Sequence, residues 1–157
     1  MPVSFVKGDI LDEATKAEGP RALAFAADCA GTMDAGIAVA IRQRWPELAE
    51  AFRAHAAGGK MQLVDFFTWE HGDLSVYALG IQKGGAKPRV SSVARALRAA
   101  IDRAVEAGIP RVLLPRVGGG KTGLDWSRVK RVVVEVVGET PIDVVVFEQF
   151  VRADEPA

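Results

Sequence analysis

The chain has 157 residues, and its 20 Lys and Arg balance 20 Asp and Glu, so its formal net charge is zero. At about 150 residues per domain, that length predicts one domain over 1–157 with a full core; 49% hydrophobic and 25% charged residues argue against disorder, and zero charge argues against gripping long nucleic acid by bulk charge. No apolar run approaches the ~20 residues of a membrane span, and Met1 leads into a strand-like run without a basic-then-apolar leader, so no membrane partner and no secretory signal are expected.

Val3 to Val6 reads as a short strand ending at Lys7-Gly8-Asp9-Ile10. Arg21 to Ala27 is a second strand, apolar on both faces as a buried central strand should be. The loop from Asp28 to Gly36 follows, rich in small turn-forming residues. A helix begins near Ile37 with Ile37, Ala40 and Ile41 on one face, and Pro46 starts another that carries Leu48, Ala51 and Phe52 inward and closes at Ala57-Gly58-Gly59.

Met61 to Trp69 and Leu74 to Ile81 are strand-like, joined by a hairpin turn at His71-Gly72-Asp73. After the glycine-containing stretch Gln82 to Pro88, Ser91 or Ser92 is expected to cap a helix with Val93, Leu97, Ile101 and Val105 on its buried stripe, ending at Gly108. Arg111 to Leu114 is a buried strand running into Pro115-Arg116-Val117-Gly118. Asp125 caps a helix whose Val129, Val132, Val133, Val136 and Val137 share one stripe, and Ile142 to Phe147 is the last strand. Strands alternating with helices, some apolar on both faces, predict an α/β chain in three α/β/α layers around a mixed sheet.

The 16 glycines are not spread evenly. The strongest local signal is the run Gly118 to Gly123 between a buried strand and a helix. There, backbone N–H groups can turn toward an anion beside the positive end of the helix, and glycine lets a bulky phosphate approach closely. The competing reading is a merely flexible connection. The run is not a P-loop: that motif needs a glycine where Pro115 stands and a helix directly after its Lys-Thr pair, whereas Gly123, Leu124 and Asp125 intervene here. The loop Asp28 to Gly36 would emerge at the same carboxyl edge of a parallel arrangement, where α/β ligands bind, and two such loops suit a ligand with a diphosphate in its middle. Two unrelated turns remain the alternative. Asp9 is placed either to accept from the exocyclic amine of a base or to cap the next segment. Phe147 and Phe150 stack on a base or serve the core.

Neither His55 nor His71 sits in a metal-spaced cluster, and both read as solvent-facing. Trp45, Trp69 and Trp126 read as packing residues. The single cysteine, Cys29, has no nearby histidine to activate it, excludes an internal disulfide and fits a reducing cytoplasm. No metal-ligand set, no Ser-His-Asp order and no cofactor requirement are visible.

Together, Val6-Lys7-Gly8-Asp9-Ile10, the loop Asp28 to Ala38, and Leu114-Pro115-Arg116-Val117-Gly118-Gly119-Gly120 ending in Gly123-Leu124-Asp125-Trp126 resemble a macrodomain. The resemblance runs from Ser4 to Phe147. It is closest to the branch holding the terminal ADP-ribose protein glycohydrolase and the DNA ADP-ribosyl glycohydrolase antitoxins.

The resemblance implies an ADP-ribose cleft at the carboxyl edge of the sheet. Asp9 would bond the adenine amine with the Ile10 backbone beside it, and Phe147 would lie near the adenine. Gly31, Thr32, Met33, Ala35, Gly36 and Ile37 would line the distal ribose and part of the diphosphate. Val117, Gly118, Gly119, Gly120, Lys121, Thr122 and Gly123 would wrap the diphosphate. This chain departs from the branch in three places. Asp34 stands where relatives commonly have glycine, Ile81 falls where the glycohydrolases use lysine, and Thr122 falls where some members carry an acid.

The expected activity is hydrolysis of mono-ADP-ribose from Glu or Asp side chains of modified proteins. Asp34 is the first candidate for orienting water or a ribose hydroxyl, followed by Asp28 and Lys83. A non-catalytic reader of ADP-ribose is one alternative. A hydrolase of DNA-linked ADP-ribose or of ADP-ribose 1″-phosphate is another. The implied partners are ADP-ribose and ADP-ribosylated protein, with DNA-linked ADP-ribose as an alternative.

Overall fold

The computed structural model of the chain describes residues 3–84, 86–118, 123–138 and 140–151. These form β1 (Val3–Gly8), α1 (Ile10–Lys16), β2 (Arg21–Asp28), α2 (Ile37–Arg44), α3 (Pro46–Ala57), β3 (Phe66–His71), β4 (Leu74–Gln82), α4 (Val90–Glu106), β5 (Arg111–Leu114), α5 (Trp126–Val137) and β6 (Asp143–Phe150). The sheet order is β1-β6-β5-β2-β4-β3. Every neighbouring pair is parallel except β3–β4, whose antiparallel hairpin makes the sheet mixed.

Alternation along the strands builds the three layers. Ala22, Ala24, Tyr77, Leu79, Val112, Leu114, Val144 and Val146 face one core under α4 and α5. Leu23, Phe25, Val76, Ala78, Leu113, Val145 and Phe147 face the other, under α1, α2 and α3. Strands apolar on both faces are possible because helices cover both sides; full burial of a side chain such as Phe25 or Leu23 contributes about 1.5–3 kcal/mol.

Four local expectations are corrected. First, the sequence pattern assigns no element to 10–16, yet α1 forms there. It buries only Ile10 and Ala14, too little to make so short a helix stable alone. Tertiary contacts hold it instead: Arg21 donates from Nε and Nη2 to the Ala14 carbonyl at 3.0 and 2.9 Å, and Arg111 pairs with Glu13 at 3.0 Å.

Second, the strand expected from Met61 begins only at Phe66. Val64 adopts φ 70°, a left-handed conformation costly for a β-branched residue. It is held by its N–H to the Gly80 carbonyl and by the Gly80 N–H to the Asp65 carbonyl, both at 2.8 Å. A Cβ on Gly80 would stand 2.9 Å from Met61 Cε and 3.0 Å from Cys29 Sγ, so glycine in β4 is what admits the 61–65 loop. Third, α4 starts at Val90 after Arg89, with no side-chain cap from Ser91 or Ser92. Fourth, Val105 is 44% exposed; the buried stripe is Val93, Ala96, Leu97, Ala100, Ile101 and Ala104. Asp125 does cap α5.

Candidate functional site

The five parallel strands end at one edge, which therefore collects Gly8–Asp9, Asp28, Gln82, Pro115–Gly118 and the end of β6. Val151 N–H donates to the Gly8 carbonyl at 2.9 Å and closes this edge between β1 and β6.

At the β1 end, Asp9 is the N-cap of α1: its Oδ1 accepts from the N–H groups of Leu11 and Asp12, each at 3.1 Å. The capping alternative for Asp9 is thus realised. Ile10 is 1% exposed with its side chain in the core, so only its backbone is presented at the edge. The Phe147 ring packs against Gly8, where a Cβ would stand 3.4 Å from Cε2. Phe147 therefore serves the core as well as facing this end. The side chain of Phe150 lies outside the described residues.

In the loop after β2, burial alternates. Cys29, Gly31 and Met33 are buried, while Ala30, Thr32 and Asp34 are exposed. Asp28 sets this conformation, its Oδ1 accepting from the Ala30 N–H at 2.8 Å and its carbonyl from the Gly31 N–H at 3.0 Å. The Cys29 N–H ties the loop to the Gln82 carbonyl at 2.8 Å. Gly31, at φ 84°, abuts α3 rather than the edge, and the Met33 side chain fills the core. Both support the site residues from beneath. Thr32, Asp34 and Ala35 face outward and, with Ala26, Ala27, Asp28, Ala38, Ile81 and Gln82, line a cleft of about 150 Å³. Gly36 (φ 60°) begins α2 at Ile37 with no side-chain cap, and within this first turn the Val39 N–H donates to the Gly36 carbonyl at 3.3 Å.

Two of the proposed catalytic side chains are already engaged. Asp28 holds its own loop, as above, and Lys83 Nζ donates to Gln62 Oε1 at 2.8 Å. Asp34 is well exposed and touches Arg42 Nη1 at 3.4 Å, a surface pair worth little. Ile81, at the position where the resemblance expects lysine, is 2% exposed. The β2–β4 register passes from Ala27↔Gly80 to Asp28↔Gln82, so Ile81 is the bulged residue, and bulges re-aim side chains. Here the bulge supplies an apolar floor to the cleft.

The glycine segment is described at both flanks. Gly118, at φ 77°, sits so close that a Cβ would be 2.9 Å from Leu124 Cδ1 and 3.1 Å from Val93 Cγ2. Gly123 has φ 86°. Gly119, Gly120, Lys121 and Thr122 lie outside the described residues. Behind the flanks stands a cluster that the sequence reading did not single out. Glu148 Oε1 accepts from Trp126 Nε1 at 3.0 Å and from Lys130 Nζ at 2.7 Å. These two donors hold the Glu148 carboxyl below the usual range. Its contribution is therefore present above the ordinary glutamate pKa and is lost as pH falls through the lowered value. Trp126 thus has a polar role as well as a packing one.

Cys29 is 5% exposed. Burial, followed by Asp28, pushes its thiol up, with Lys83 opposing. Since the thiolate is the reactive form, Cys29 in the folded protein should resist alkylation at pH 8 while the denatured chain reacts within minutes. Rapid labelling of the native protein in a timed iodoacetamide assay would contradict this. His71 is exposed and stacks on Trp69, whereas His55 is half-buried against Phe67. Among the described residues, no group of three or more His, Cys, Asp or Glu is placed to hold a metal ion, and no helix is long and apolar enough to cross a membrane. A larger space of about 470 Å³ lies between the carboxyl ends of α4 and α5, lined by Arg98, Asp102 and Glu135 among others, and it holds none of the expected site residues.

Comparison with known proteins places the chain in a family and matches its fold. The Macro domain family model matches residues 24–133. The chain is 24% identical over 145 residues to the human ADP-ribose glycohydrolase OARD1, covering 92% of this chain and 90% of that protein. It is 25% identical over 138 residues to a DNA ADP-ribosyl glycohydrolase of Thermus aquaticus, covering 85% of this chain but only 37% of that longer protein. In fold it resembles Thermosipho africanus DarTG in complex with ADP-ribose, with a TM-score of 0.81 at 15% identity over 99% of this chain and 43% of that one.

Proposed function

The chain belongs to the Macro domain family, and from that premise we propose that it binds ADP-ribose along the carboxyl edge of its sheet and hydrolyses mono-ADP-ribose from Glu or Asp side chains of modified proteins. The observation carrying this reading is the convergence of three features on one edge. They are the Asp9–Phe147 end, the Gly118 and Gly123 flanks, and the Thr32–Ala35 cleft. Their order suits adenine, diphosphate and distal ribose in turn. The names of the relatives, which are glycohydrolases of ADP-ribose or of DNA-linked ADP-ribose, support the substrate class. The same carboxyl edge would hold the partner, ADP-ribosylated protein, at the distal-ribose mouth. The one buried thiol fits a reducing cytoplasm.

Hydrolysis of such an ester breaks the bond from the ribose anomeric carbon to the carboxylate oxygen while water adds. The carboxylate leaves with little help from a general acid. Positive charge developing on the ribose is offset by the substrate's own diphosphate once the pocket fixes its geometry. Asp34, exposed at the cleft and weakly paired, orients the attacking water or a ribose hydroxyl. Asp28 shapes the loop beneath it, and Lys83 acts through its hold on Gln62.

Asp34→Ala should lower turnover of a Glu-linked mono-ADP-ribosylated protein about a hundredfold with little change in ADP-ribose affinity. Unchanged turnover would remove Asp34 from the mechanism. The buried Ile81 favours a second reading, a binding module without chemistry. Label retained on the substrate by wild-type protein that binds free ADP-ribose would select it. Parallel incubations with thymidine-linked ADP-ribose and with ADP-ribose 1″-phosphate test the remaining substrate classes.

A further inference from the structure

Glu148 occupies a second irregularity at the same edge. The β1–β6 register passes from Val6↔Phe147 to Lys7↔Gln149, leaving Glu148 unmatched, and bulges are rare between parallel strands. Glu148 continues the face of Val144 and Val146, the side covered by α4 and α5. There its carboxylate receives Trp126 Nε1 and Lys130 Nζ, and its carbonyl receives Arg116 Nε. The Arg116 guanidinium lies 5.7 Å from the centre of the Trp126 ring, and the Lys130 ammonium lies 4.4 Å from that of Phe5. Arg116 and Trp126 are the residues on either side of the stretch 117–125. One residue of β6 therefore holds both flanks of the glycine segment without itself lining the cleft.

We propose that Glu148 is a positioning residue, fixing the separation of the Arg116–Gly118 and Gly123–Trp126 flanks so that these two flanks are pre-organised for the diphosphate of its ligand. The inference rests on the nucleotide reading of the site. Pre-organisation lowers the ordering cost of binding, so its loss should weaken ligands that carry a diphosphate and spare those that do not.

The test uses the full chain with Glu148→Ala, Glu148→Gln and Trp126→Phe, the last removing the indole N–H donor while keeping an aromatic, though smaller, ring beside Arg116. In ligand-free protein, Glu148→Ala should speed amide exchange about tenfold at 123–126, the flank its carboxylate holds through Trp126 and Lys130, and less at 116–118, where Arg116 keeps the main-chain carbonyl of residue 148, with β2 and α3 unchanged. Titrations should show ADP-ribose affinity about tenfold weaker, and adenosine affinity within about twofold of wild type. Glu148→Gln, which keeps an oxygen acceptor, should recover part of the loss, and Trp126→Phe should show the same selectivity in smaller measure. Equal weakening of both ligands, no recovery by glutamine, or exchange that is unchanged or rises uniformly would overturn the proposal. If wild-type protein binds no ADP-ribose, the nucleotide reading fails, while the exchange experiment still decides whether Glu148 clamps the flanks.

Discussion

Replacing Gly31 by alanine should destabilise the protein by about 2–5 kcal/mol, as the sum of two effects. The residue has φ 84°, where a side chain costs about 1–2 kcal/mol. The added Cβ would stand 2.7 Å from Ala56 Cβ and 3.2 Å from Arg53 Cα. Both atoms belong to the α3 helix and cannot swing aside as a flexible side chain would, so overpacking adds about 1–3 kcal/mol. Urea unfolding reads the loss directly. A change below about 1 kcal/mol would mean that the loop does not press on α3 as described. Because Thr32, Asp34 and Ala35 follow Gly31 immediately, the surviving folded fraction should also bind ADP-ribose more weakly than wild type.

Phe52→Ala is the second large effect, expected at about 3–5 kcal/mol. Phe52 is fully buried, its ring centroid lies 5.4 Å from that of Phe67, and its carbonyl stands 3.4 Å from where a Gly31 Cβ would be. Removing the ring leaves an apolar cavity between α3 and the sheet. With that cavity present, α3 can yield toward the sheet, and the Gly31→Ala clash is partly relieved. The double variant should therefore lose less than the sum of the two singles, with a coupling of about 0.5–3 kcal/mol. Strict additivity in denaturant titrations would show that the loop and the helix do not share this contact.

Much of the candidate site was legible because glycines, cap residues and strand ends are local features. Asp125 caps α5 through the Ser127 N–H and hydroxyl, an arrangement written in neighbouring residues. The loop after β2 announced itself by its small residues, although their outward and inward alternation did not. Ala26, Ala27 and Ala38 line the cleft yet looked like ordinary core residues, since an alanine that leaves room for a ligand is indistinguishable in sequence from one that fills a tight contact.

The sequence by itself determined the order along the chain of the six strands and of α2 to α5, the two-sided burial of β2 and β5, and the glycine segments at the ends of strands. Each of these follows from side-chain periodicity or backbone freedom within a few residues. Only the tertiary structure decided the strand order, the existence of α1, and the bulges that make Ile81 the cleft floor and Glu148 the hub behind the glycine flanks. Register between parallel strands is set by packing between segments far apart in the chain, as in the pairing of Val6 with Phe147. A one-residue slip there changes which side chain faces the site without altering any local pattern.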